Sequence, residues 1–73
     1  MPKLPVISGK EAAKAFSTVG WHADRQVGSH LVMRKEDSKV TLSIPQHKEL
    51  KPGLLRKLIK NAGLTVEEFV ELL

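Results

Sequence analysis

The chain has no cysteine, a single tryptophan and two phenylalanines among its 73 residues. Without cysteine no disulfide can staple a chain this short, and the three histidines alone do not build a structural metal site, so it must hold itself by helix and sheet packing. With so few aromatic rings, a platform for stacking single-stranded bases is poorly supported. No apolar run approaches the roughly 18 residues of a membrane helix. Met1-Pro2-Lys3-Leu4-Pro5 is not a signal peptide, because no apolar segment follows its charge. These absences lead to the expectation of a cytoplasmic protein.

What is present describes a soluble globular chain: 41% apolar residues and 27% charged ones. Twelve Lys and Arg against eight Asp and Glu give a formal charge of +4, and the sequence pI is about 9.7. Such a balance attracts polyanions, nucleic acid foremost. Charge alone does not separate a nucleic-acid binder from a basic domain that docks on an acidic protein.

Ser8-Gly9-Lys10-Glu11 has the S-x-x-E form of a capping box, in which serine oxygen and glutamate carboxylate satisfy free N–H groups at a helix start. The spacing predicts a helix from about Gly9 to Val19, with Ala12, Ala15, Phe16 and Val19 on its apolar side and Lys10, Glu11 and Lys14 opposite. Gly20 is placed to end it. Trp21 to Val27 suits an extended strand moderately, Gly28 breaks it, and His30 to Lys35 alternates weakly. After the polar turn Glu36 to Lys39, Val40, Leu42 and Ile44 alternate with Thr41 and Ser43 until Pro45 stops the strand. Pro52 suits the first position of a second helix, whose apolar face is Leu54, Leu55, Leu58, Ile59 and Ala62, ending at Gly63. Thr65 to Glu68 repeats the capping box and opens a short last helix burying Val66, Phe69 and Leu72.

The predicted class is therefore α+β: an αβββα order, with a three-stranded antiparallel sheet and the helices packed on one face, in one domain spanning 1–73. Alternation sends Leu31, Met33, Val40, Leu42 and Ile44 toward the helices, and His30, Val32, Arg34, Thr41 and Ser43 to the open face.

That parity exposes His30 beside a tight glycine turn. By itself such a histidine is more often a solvated surface residue than a proton carrier. Imidazole titrates near neutrality, and RNA cleavage by its own 2′-hydroxyl needs a group that takes or gives a proton there. His22 reads as surface decoration. His47, in Pro45-Gln46-His47-Lys48 ahead of the second helix, either caps that helix or contacts a phosphate. The histidines lie 8 and 17 residues apart without carboxylates at ligand spacing, so no metal site or cofactor is expected. Lys48, Lys51, Arg56, Lys57 and Lys60 make the start and outer side of the second helix basic, and such a face is usually just solvated; a stripe joining Lys10, Lys14 and Arg25 to Lys48 and Lys51 exceeds what solubility needs and is the candidate for phosphate contact. Phe16 and Phe69 fall on core positions, and Trp21 reads as packing.

Three segments together carry a resemblance: Ser8-Gly9-Lys10 with its helix, Gly28-Ser29-His30 at the strand turn, and IPQHKELKPGLLRKLIKNAGLTVEEF from Ile44 to Phe69. In this order, over nearly the whole chain, they resemble the HicA (YcfA-like) toxin family, the small mRNA interferases of HicAB toxin–antitoxin pairs. The resemblance implies a fold similar to the double-stranded-RNA-binding domain, and a toxin that cleaves mRNA and arrests growth. It implies that His30, in the Gly-Ser-His motif, is catalytic, with Gly28 and Ser29 supporting the turn. Lys10, Arg25, Lys48 and Lys51 are the candidates for holding RNA. It implies a HicB-like antitoxin as partner, and no metal. Trp21 stands where the family commonly has phenylalanine, which touches local packing alone. The rival readings are a non-catalytic module that grips duplex RNA by shape, and a protein-interaction domain with a basic face.

Overall fold

The computed structural model describes residues 3–73; Met1 and Pro2, at the head of the stretch read above as no leader, lie outside the described residues. The element order is α1 (Gly9–Ser17), β1 (His22–Val27), β2 (His30–Arg34), β3 (Leu42–Pro45), α2 (Pro52–Asn61) and α3 (Val66–Val70). The sheet is antiparallel in the order β1-β2-β3. One core cluster joins Ala12, Ala15 and Phe16 of α1, Met33, Leu42 and Ile44 of the sheet, Leu55, Leu58 and Ile59 of α2, and Phe69 of α3. This is the expected αβββα class, with the helices on one sheet face.

Local chemistry sets the helix ends. At α1 both capping-box bonds form: Glu11 N–H donates to Ser8 Oγ at 3.0 Å and Ser8 N–H to Glu11 Oε1 at 3.1 Å. The box at α3 is equally complete, with Thr65 N–H to Glu68 Oε1 at 2.9 Å and Glu68 N–H to Thr65 Oγ1 at 3.1 Å. Helix α1 stops at Ser17, earlier than Val19, where the Ser17 and Thr18 hydroxyls donate to the Lys14 and Ala15 carbonyls, each at 2.6 Å. Those side chains occupy acceptors that a continuing helix would use. Phe16 and Phe69 are fully buried with ring centroids 5.0 Å apart, a tilted aromatic pair that ties α3 to α1.

Two expectations need correction and one needs refinement. Val40 does not point to the helices: β3 begins at Leu42, and Val40 is 45% exposed in the preceding loop. Ser38 Oγ accepts from Val40 N–H at 3.1 Å and Ser38 N–H donates to the Lys35 carbonyl, so the turn consumes the residues that were to start the strand. Trp21 is not in β1, which begins at His22; it is buried in the core, as a packing residue should be, although its indole N–H finds no acceptor among the described residues. Val32 does lie outside the core cluster, on the open face, yet it is buried. As the middle of the central strand it has Arg25 and Ser43 on either side and His30 and Arg34 along the strand, so its cover comes from the sheet surface itself.

Candidate nucleic-acid interface

Gly28 and Ser29 form a two-residue hairpin loop, since Val27 pairs with His30 across it. Gly28 has φ +59° and no other residue of the loop has positive φ. Positive φ at the first central position is the requirement of the type II′ turn, whose twist matches that of the flanking strands. His30 is thereby the first residue of β2, exposed, with Val27 opposite on one side and Pro45 on the other.

Paired residues share a sheet face, so the open face carries His22, Arg25 and Val27 of β1, His30, Val32 and Arg34 of β2, and Ser43 and Pro45 of β3. Simple alternation would put His22 and Arg25 on opposite faces. The register shifts between Ala23 and Arg25, and this bulge at Asp24 brings Arg25 opposite Val32, on the same face as His30 and two positions along. Asp24 meets Arg34 at 3.6 Å, the one ion pair among the described residues. It is solvent-exposed and adds little stability.

Beyond Pro45 the loop to α2 is clamped on two sides. Gln46 N–H donates to the Ser29 carbonyl at 2.7 Å, tying the loop to the hairpin. Gly9 N–H donates to the His47 carbonyl at 2.9 Å and Leu50 N–H to the Ile7 carbonyl at 2.8 Å, tying it to the start of α1. Gly9 is buried in this contact, and a Cβ built there would overlap the Pro45 carbonyl oxygen. The result is an open cavity of about 330 Å³ lined by Ser8, Lys10, Gln46, His47 and Lys48.

The structure thus brings Lys10 and Lys48 into one cavity and joins it to the hairpin of Gly28, Ser29 and His30 through the Gln46–Ser29 bond. Ser29 makes this link with its carbonyl. Arg25 lies on the open sheet face and Lys51 at the N-cap of α2, where it makes no side-chain cap bond; neither lines the cavity. The N-cap of α2 is Lys51, so His47 does not cap that helix; it lines the cavity instead. Sequence reasoning missed Gly9 and Gln46. A glycine at the first position of a well-capped helix was the available signal, since alanine is the better helix former unless something stands in its way. Among the described residues no group of three His, Cys, Asp or Glu could hold a metal ion, and no helix is long and apolar enough to cross a membrane.

Fold and site together define a small α+β domain that gathers a histidine-bearing hairpin and a cationic cavity at one edge of a three-stranded sheet. The family model for the HicA toxin of bacterial toxin–antitoxin systems matches residues 9–64. A chain of a toxin–antitoxin complex from Streptococcus pneumoniae is similar in structure, with a TM-score of 0.71 and 34% sequence identity, covering 80% of this chain and 98% of that one. No curated protein matches. The chain belongs to the HicA toxin family, and the resemblance read from its motifs is the family it falls in.

Proposed function

We propose that this chain is an mRNA interferase: a metal-independent endoribonuclease, acting as one domain in the cytoplasm, that arrests translation and growth and is held in check by a HicB-like antitoxin. The observation that carries the reading is the exposed His30 beside a two-residue hairpin loop, joined by the Gln46–Ser29 hydrogen bond to a loop and cavity that present Lys10 and Lys48.

In this chemistry the 2′-hydroxyl attacks the adjacent phosphorus and the bond to O5′ breaks. His30 takes the proton from O2′ or delivers one to O5′, a contribution on the order of 10² to 10⁴ in rate. Negative charge grows on the phosphate as the transition state forms, and fixed cations beside it stabilise that charge. Lys10, Lys48 and Lys51 flank the loop edge and Arg25 the open face, so an RNA strand crossing His30 meets cations on both sides. Their availability is supported by the scarcity of ion pairing, since Arg34 is the one cation engaged by a carboxylate among the described residues. Gly28 makes the close turn and Ser29 anchors it. An antitoxin with an acidic face would cover the same edge and exclude RNA; that the similar structure is a toxin–antitoxin complex supports an antitoxin as partner.

The test is induced expression of wild type beside His30→Ala, scoring growth and cleavage of cellular mRNA, with circular dichroism on both purified proteins. Arrest and cleavage by wild type, both lost in a folded His30→Ala, is the expected result. A folded variant that cleaves as well as wild type removes His30 from catalysis. A wild type that binds RNA but neither cleaves nor arrests growth makes the chain a non-catalytic RNA-binding module.

A further inference from the structure

We infer that His47 is the second proton-transfer group of the RNA cleavage proposed above, working on the opposite side of the scissile phosphate from His30. This rests on that reading and deepens it. The reaction moves two protons: one leaves O2′ as the O2′–P bond forms, and one reaches O5′ as the P–O5′ bond breaks, giving a 2′,3′-cyclic phosphate and a free 5′-hydroxyl. No further reactant is needed, but a single imidazole handles one of the two transfers at a time. A neutral and a protonated imidazole together handle both in one step.

The backbone holds His47 where this role requires. Pro45 is the strand partner of His30, and His47 follows two residues later. Paired Cα atoms lie about 5 Å apart, and two extended residues add at most about 7 Å. The two histidine Cα atoms are therefore within about 12 Å, a gap that two imidazole side chains can close on a phosphate between them. The segment is fixed from both sides by Gln46 N–H to the Ser29 carbonyl and Gly9 N–H to the His47 carbonyl.

The charged groups around His47 also fit. Lys10 from α1 and Lys48 from its own loop line the same cavity as His47. These cations can hold the phosphate within its reach. No carboxylate lines the cavity to compete for the proton transfer. Glu11, the nearest acid in α1, is occupied by the Ser8 N–H, and Glu49 is exposed beyond Lys48 outside the cavity lining. Lys51 stands at the start of α2, also outside it.

The experiment measures cleavage of an RNA oligonucleotide by the purified full chain as a function of pH, for wild type, His30→Gln and His47→Gln, with circular dichroism to confirm folding. Wild type should give a bell-shaped profile, and each variant should fall by about 10²- to 10⁴-fold while losing a different limb. A second substrate carries sulfur in place of O5′ at the cleaved bond, so that its leaving thiolate needs no proton. It should restore one variant, the one lacking the acid, and not the other. A folded His47→Gln that keeps both limbs and cleaves within about tenfold of wild type overturns the inference, as does loss of the same limb in both variants or sulfur rescue of neither. If wild type cleaves, His30 is required and His47 is dispensable, this inference alone fails; if wild type itself does not cleave, the functional reading fails with it.

Discussion

The carbonyl oxygen of Pro45 fills the space that a side chain on Gly9 would need. This contact sets the start of α1 against the end of β3, and the Gly9–His47 hydrogen bond follows from the same approach. Helix propensity alone favours alanine over glycine by about 1 kcal/mol. Here the sign reverses.

Gly9→Ala is accordingly expected to cost about 1–3 kcal/mol, the usual range for forcing a group into filled space. Gly53→Ala, in the first turn of α2 where an added Cβ meets nothing within 4 Å, should be neutral or stabilising by up to about 1 kcal/mol. Urea unfolding of both variants measures the contrast. Equal effects at the two positions would mean that the α1–β3 contact yields freely.

Gly28→Ala isolates a conformational cost, since nothing lies within 4 Å of the added Cβ but φ is +59°. Holding an L-residue there costs about 1–2 kcal/mol. Thermal unfolding should register that loss, and RNA cleavage should fall with it because His30 is set by the turn. A variant as stable as wild type would show that the hairpin accepts another turn type.

Trp21 buries its ring and leaves its indole N–H without a protein acceptor. Trp21→Phe gives up some packing but removes an unsatisfied donor that costs about 1–3 kcal/mol, so the net loss should stay under about 1 kcal/mol. Trp21→Ala has no such offset and should cost about 3–5 kcal/mol. Against a total of about 4–11 kcal/mol for a chain of 73 residues, the alanine variant should lose a large share of its stability. Denaturant midpoints of the two variants, compared by tryptophan-independent circular dichroism, decide this.

Lys48→Ala and Lys10→Ala should each weaken RNA binding and lower the slope of log affinity against log salt by about 1 per lost phosphate contact. Arg56→Ala, on the outer side of α2 and outside the cavity lining, is the control and should leave the slope unchanged. Filter binding across a salt series reads both. If neither lysine changes the slope, the cavity does not hold phosphate.

The element order, the two capping boxes, the proline at the start of α2 and the core positions of Phe16, Leu42, Ile44, Leu58 and Phe69 were determined by the sequence itself, because each depends on residues a few positions apart. The exposure of His30 follows from strand parity, another local rule, and the family follows from motifs in linear order. The tertiary structure decided what no local rule reaches. The bulge at Asp24 turns Arg25 to the face of His30, the Ser38 turn removes Val40 from its strand, and the bare Cα of Gly9 lets α1 close on Pro45. His47 and Lys10 are 37 positions apart in the chain and line one cavity. Their meeting depends on hydrogen bonds between segments remote in sequence, whose geometry is set when the helices pack on the sheet.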